Sequence, residues 1–221
     1  MDNSTIEYAD FAEYDRRQRA IEHHLLAAVF GGLAVGVIGM LLSGPGWAGQ
    51  IYDPYAYLAL SLAVGATASG FGWALLTTVL ASLSTLVAGI GASALRGGDV
   101  MSLTGAPVTG LDWTLALLVC LGLLAYATRR DDVWGDVAAG AVGAALIADV
   151  VARAVPGVVG SEQSFWPGPA MVIGVLTVAA VLVLRRNVRG RVRALALSAT
   201  LAGLVTAGMT TAMTDWFPLA G

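Results

Sequence analysis

The chain has 221 residues, of which 57% are apolar and only 12% charged, with a mean hydropathy of +0.76. Soluble domains carry roughly 25% charged residues, so a water-soluble fold is excluded and a membrane-embedded one is expected. The net charge is −3, and most of the acidic excess lies at the N-terminus. The chain therefore presents no basic surface of the kind nucleic acid requires.

The chain opens with Asp2, Glu7, Asp10, Glu13 and Asp15 ahead of Arg16, Arg17 and Arg19. A cleavable signal peptide opens on basic residues, so the first hydrophobic run is expected to stay in the protein. Residues 1–24 read as a cytoplasmic helix or leader. Ser4 and Glu7 stand at capping-box spacing, with acids preceding bases as the helix dipole favours. Such a segment is either a solvated leader or a docking helix for a partner.

Residues 25–217 read as a single transmembrane bundle. A helix needs about 20 apolar residues to cross a hydrocarbon core about 30 Å thick. The first span covers 25–43 and ends at the turn Ser43-Gly44-Pro45-Gly46. Residues 55–95 then run without a charge, about twice what one crossing accommodates. Two spans are expected there, 55–69 and 72–95, broken at Ala68-Ser69-Gly70-Phe71-Gly72, where paired glycines permit a tight turn.

The fourth span, 112–128, starts at the N-cap candidate Asp112 and stops at Arg129-Arg130-Asp131-Asp132. The fifth, 136–155, carries Asp149 and Arg153. The sixth, 166–184, has Pro167 and Pro169 at its entrance, where missing N–H groups are tolerated. The basic cluster Arg185, Arg186, Arg189, Arg191 and Arg193 follows, and 194–215 is the seventh span.

Arginine sidedness orients this all-α bundle of about seven spans with its N-terminus in the cytoplasm and its C-terminus outside. Ten of the arginines then face the cytoplasm, and only Arg96 and Arg153 lie toward the exterior. A single crossing by 55–95 would send seven of those ten outside. Tryptophan placement agrees, with Trp47, Trp113, Trp166 and Trp216 at outer ends and Trp73 and Trp134 at inner ends. The arginine-only basic composition fits a GC-rich prokaryote, and the location expected is its plasma membrane.

Residue types limit the chemistry. All 12 basic residues are arginine, so no lysine is present to form a retinal Schiff base. Cys120 is the sole cysteine, which excludes an intrachain disulfide and thiolate clusters. His23 and His24 precede the first span, so no bis-histidine haem site is available within the bilayer. Gly-x-Ser-x-Gly, P-loop and dinucleotide fingerprints are absent. The outer loops, with Asp99, Thr104, Asp112 and Glu162, show no catalytic arrangement. No catalytic, cofactor or metal site is expected.

An acid inside a span is a functional candidate by default, and Asp149 is the one that stands out. Arg153 shares its helix face four residues on, so the pair reads either as a structural ion pair snorkelling outward or as a proton or solute site. Asp149 follows Ala141 and Ala145, a face expected to look into the bundle. Thr206 and Thr210 share a face of the last span with Thr214, and span three carries Thr77, Thr78, Ser82, Ser84 and Thr85. These hydroxyls either line a polar path or bond their own backbones.

Small-residue ladders, Gly32/Gly36, Gly140/Ala144/Ala148/Ala152 and Ala199/Gly203/Ala207, are expected to pack helices within the chain, with self-association the alternative. The Arg185–Arg193 cluster reads as a determinant of orientation facing anionic headgroups, or as a contact for a cytoplasmic partner. The partners expected are the bilayer and, through small-residue faces, other proteins. The function expected is that of a non-enzymatic accessory or structural membrane subunit. The alternative is a small-solute or proton-coupled transporter using Asp149, and an enzyme with carboxylates in its outer loops trails both.

Overall fold

The computed structural model describes residues 3–42, 46–95, 108–154, 165, 167–185 and 187–216. All its elements among the described residues are α-helices: α1 (Asn3–Leu42), α2 (Trp47–Tyr52), α3 (Tyr55–Thr67), α4 (Phe71–Leu95), α5 (Val108–Ala127), α6 (Val133–Ala154), α7 (Gly168–Leu184) and α8 (Val188–Trp216). Three stretches are long and apolar enough to cross a membrane: Glu13–Leu42, Phe71–Ala92 and Val133–Ala154. Thr114–Ala127 and Gly168–Leu184 are shorter apolar helices. At 13 residues, α3 is about 20 Å long, short of a full hydrocarbon thickness.

Several expected boundaries move. No break separates the leader from the first span, because α1 is one helix of 40 residues. No glycine or proline interrupts it before Gly31, and i,i+4 contacts support its polar part. Arg19 bonds Asp15 at 2.6 Å, and Gln18 donates to Glu22 at 3.2 Å. The capping box at Ser4 and Glu7 lies outside the described side chains, as does the Ser43–Pro45 part of the first turn outside the described residues.

Asp112 is not an N-cap, since α5 already begins at Val108. The true acidic cap is Asp132, whose Oδ1 accepts the Gly135 N–H at 3.0 Å and starts α6 three residues earlier than expected. Helix α8 likewise begins inside the arginine cluster. Asn187 Oδ1 accepts the Arg189 N–H at 3.3 Å, so Arg189, Arg191 and Arg193 lie on the first turns of a helix rather than in a nine-residue loop. The break at Ala68 is present, with the residue extended (φ −63°, ψ 143°) between α3 and α4. Pro167 and Pro169 occupy the N-cap and first turn of α7.

Three pairs of helices running in the same direction set the packing. Gly32 of α1 lies against the Ala81 carbonyl and Gly36 against the Thr85 carbonyl of α4. Gly65 of α3 meets the Gly122 backbone of α5 so closely that a Cβ at Gly65 would collide with it, while one at Gly122 would strike the Thr78 side chain of α4. Gly140 and Gly143 of α6 face Leu197 and Ser198 of α8. Glycine serves here by letting backbones approach, the usual basis of helix association in lipid.

The ladder Ala199/Gly203/Ala207 was expected to do the same and does not. All three residues are exposed, and a Cβ at Gly203 would meet no other helix within 4 Å, because α8 turns its other face, Ala194, Ser198 and Ala202, inward. The main apolar core lies between α3, α5, α6 and α7 around Leu58, Leu121, Val142, Leu146, Phe165 and Ile173.

Candidate functional site

Two polar clusters lie at opposite ends of α6, about 20 Å apart from Asp136 to Asp149 at 1.5 Å per residue. At the end where α6 finishes, Asp149 Oδ2 accepts hydrogen bonds from Arg153 Nε at 3.1 Å and from the Tyr55 hydroxyl at 2.6 Å. The i,i+4 spacing on α6 places the first partner. Tyr55, the first residue of α3, is held by stacking on the buried Phe165 ring, with centroids 6.4 Å apart.

The Asp149 and Arg153 side chains retain 35% and 27% exposure, enough for solvent to reach the pair. Asp149 belongs to the half-buried flank of the stripe formed by Val142 and Leu146. The expectation that it follows Ala145 inward is corrected, because Ala145 is exposed. In the turn before α3, burial pushes the Asp53 carboxyl above the ordinary carboxylate range, and the nearby Arg153 charge partly offsets this. Asp53, Asp149 and Arg153 thus form a small electrostatic group beside Tyr55.

Thr206, proposed alongside Asp149, directs its hydroxyl elsewhere. Thr206 Oγ1 donates to the Ala202 carbonyl of its own helix at 2.8 Å, and the Thr210 side chain lies outside the described residues. The span-three hydroxyls behave alike: Thr77, Thr78, Ser82 and Thr85 donate to carbonyls one turn back, at 2.6–2.9 Å. Such back-bonding satisfies the hydroxyl donor within the helix itself.

The opposite end joins the arginine cluster to Asp136, an acid that the sequence reading passed over. Arg185, only 5% exposed, is ion-paired with Asp136, 4% exposed. Its Nη1 donates to the Thr128 and Arg130 carbonyls at 2.9 and 2.6 Å. Gly135 and Gly190 make the room: a Cβ at Gly135 would lie 2.7 Å from Arg185 Nη1, and one at Gly190 2.8 Å from Asp136 Oδ1. Arg193 stands 3.8 Å from the other Asp136 oxygen.

Two further arginines do similar work. Arg129 donates to the Ala68 carbonyl at the end of α3. Arg191 Nε donates to Leu182 and Arg185 carbonyls at the end of α7, at 3.1 and 2.7 Å. The helices that run toward this end, α3, α5 and α7, thus each finish on an arginine that satisfies orphan carbonyls and opposes the negative pole of the dipole.

The cluster is therefore not only a headgroup-facing determinant, since Arg185 and Arg191 turn inward. One sequence signal could have revealed Asp136: it precedes Gly140 and Gly143 by four and seven residues, on the same small-residue face. At the surface of this end, the Gly135 amide and then Arg130 hold the Asp132 carboxyl below its usual range.

No family model matches the chain, and neither a curated protein nor a solved structure does so. Among the described residues no group of three or more His, Cys, Asp or Glu could hold a metal ion.

Proposed function

We propose that this chain is a polytopic protein of a prokaryotic plasma membrane, crossing seven times with its N-terminus in the cytoplasm, and that it acts as a non-enzymatic accessory or structural subunit. The observation that carries the reading is how the interior polar groups are used. Thr77, Thr78, Ser82 and Thr85 of α4 and Thr206 of α8 are turned back on their own helices, and apolar side chains fill the core between α3, α5, α6 and α7. The alternation of helix direction supports seven crossings, with α3 reaching across by local thinning of the bilayer and with α2 at its start. The arginines gathered at one end support the cytoplasmic assignment of that end.

A second reading has a specific observation in its favour. Asp149, with Tyr55 and Arg153 bonded to it and Asp53 nearby, is an acid reachable from the outer end. A small-solute or proton-coupled permease could use it.

Purified protein in proteoliposomes decides between them. The subunit reading predicts no proton leak or solute uptake above empty vesicles and no change on Asp149→Asn. Uptake or leak that Asp149→Asn abolishes would replace it with the permease reading. Membrane attachment is tested separately, because a span resists extraction at alkaline pH whereas a peripheral protein is released.

A further inference from the structure

At the arginine end of the bundle, six described arginines (129, 130, 185, 189, 191 and 193) meet three aspartates (131, 132 and 136), an excess of three positive charges among the described residues. Arg129, Arg185 and Arg191 are spent on the carbonyls of helix ends, and Arg130 is paired with Asp132 at 2.8 Å. Arg193 is 3.8 Å from Asp136, an acid already paired with Arg185, and keeps 64% of its side chain exposed. Arg189 is exposed as well. The acids of α1 stand on a helix packed against α4. Arg189 and Arg193, one turn apart on α8, therefore present positive charge over one helix face that the fold does not neutralise.

Guanidinium groups match the oxygens of a phosphate, and the rest of the face narrows the anion to an amphiphile. Val188 and Val192 stand exposed beside the arginines. Beyond them the exposed residues of α8 are Ala196, Ala199, Thr200, Gly203 and Leu204, a run of about 16 Å without a charge. Thr200 donates back to the Ala196 and Leu197 carbonyls of its own helix at 3.0 and 3.1 Å. A free inorganic anion would use the arginines and leave this run bare. An acidic protein segment would lay peptide groups against it, where they find no hydrogen-bond partner. A phospholipid carries its anion and its hydrocarbon in the same order as α8 carries its arginines and its apolar run.

On the membrane reading above, which the site requires, we propose that Arg189 and Arg193 bind the headgroup of an anionic phospholipid whose acyl chain lies along α8 from Val192 toward Leu204. The unneutralised charge favours a headgroup of net negative charge over a zwitterionic one, whose own cation would stand near the arginines.

The test uses the full chain in mild detergent, titrated with palmitoyl-oleoyl phosphatidylglycerol or with phosphatidylcholine of the same chains and weighed by native mass spectrometry. Wild type is expected to bind one phosphatidylglycerol in preference to phosphatidylcholine. Arg189→Gln and Arg193→Gln are each expected to weaken phosphatidylglycerol binding about fivefold, while Arg16→Gln on the exposed part of α1 changes nothing. Equal affinity of wild type for the two lipids overturns the proposal, and that comparison needs no variant.

An equal loss in all three variants also overturns it, because bulk charge would then suffice. Displacement of the lipid by inorganic phosphate or glycerol phosphate at the lipid's own concentration would show that the arginines bind an anion alone, and a second protein copy bound in the lipid's place would show a different occupant; either result overturns the site. Release of the protein from membranes at alkaline pH would instead defeat the membrane reading, whereas a protein that resists extraction and shows no lipid preference defeats the site alone.

Discussion

A guanidinium withdrawn from water keeps its charge, because arginine does not deprotonate in proteins, so Arg185 depends on Asp136 and on the carbonyls it bonds. Removing one partner of such a pair strands the other charge at a cost of about 3–5 kcal/mol, whereas replacing both by apolar residues is often neutral. Asp136→Leu is therefore expected to lower the thermal midpoint in detergent sharply, and the double variant Asp136→Leu/Arg185→Met to recover most of the loss. A double variant no better than the single would show that the carbonyl bonds, not the pair, hold this end.

Asp132 contributes through its ionised form, which caps α6. Its carboxyl lies below the usual range in the fold, so its stabilisation is present above the ordinary carboxylate pKa and is lost as pH falls through the folded value. Asp132→Asn, which keeps a cap, should flatten that acid loss of stability while changing little at neutral pH. The i,i+4 pair Asp149–Arg153 was legible because a helix fixes that spacing whatever surrounds it. Tyr55 was not, since its reach to Asp149 is set by how α3 meets α6, and no local pattern carries that.

Helix existence was similarly open to reading, since unbroken apolar runs can satisfy their backbone only as helices in lipid. Helix faces were not. Three ladders of small residues look alike in composition, yet those on α1 and α6 meet a neighbour and the one on α8 does not. Which ladder is used depends on the packing of all the others.

The difference is measurable by single methyl groups. Gly65→Ala would drive a Cβ into the Gly122 backbone, which has no side chain to swing aside, and overpacking of this kind costs about 1–3 kcal/mol. Gly203→Ala meets open space, and should be neutral or stabilising by up to about 1 kcal/mol through helix propensity. Thermal midpoints of the two variants in one detergent check the ordering. Equal shifts would mean that α3 and α5 are not held at the distance seen.

Across the whole molecule the arginines perform two tasks with one placement. Arg129, Arg185 and Arg191 close the helix ends that arrive at one side of the bundle, while Arg189 and Arg193 remain exposed there. A cationic side that caps helix ends is also the side least easily moved across a bilayer during insertion. Dipole compensation and orientation then favour the same end.

This argument makes a prediction about sidedness. With Cys120→Ser as background, a cysteine at Asp131 should react with a membrane-impermeant maleimide only after cells are opened, and one at Glu162 should react on intact cells. If residues 55–95 crossed once instead of twice, every site beyond them would exchange sides and the two labels would reverse. Charge reversal gives a harder version of the test. Arg189→Glu leaves the capping arginines and the Arg193–Asp136 contact in place, so the Asp131 and Glu162 labels should keep their sides if capped helix ends hold the orientation. They should become mixed if exposed charge alone sets it.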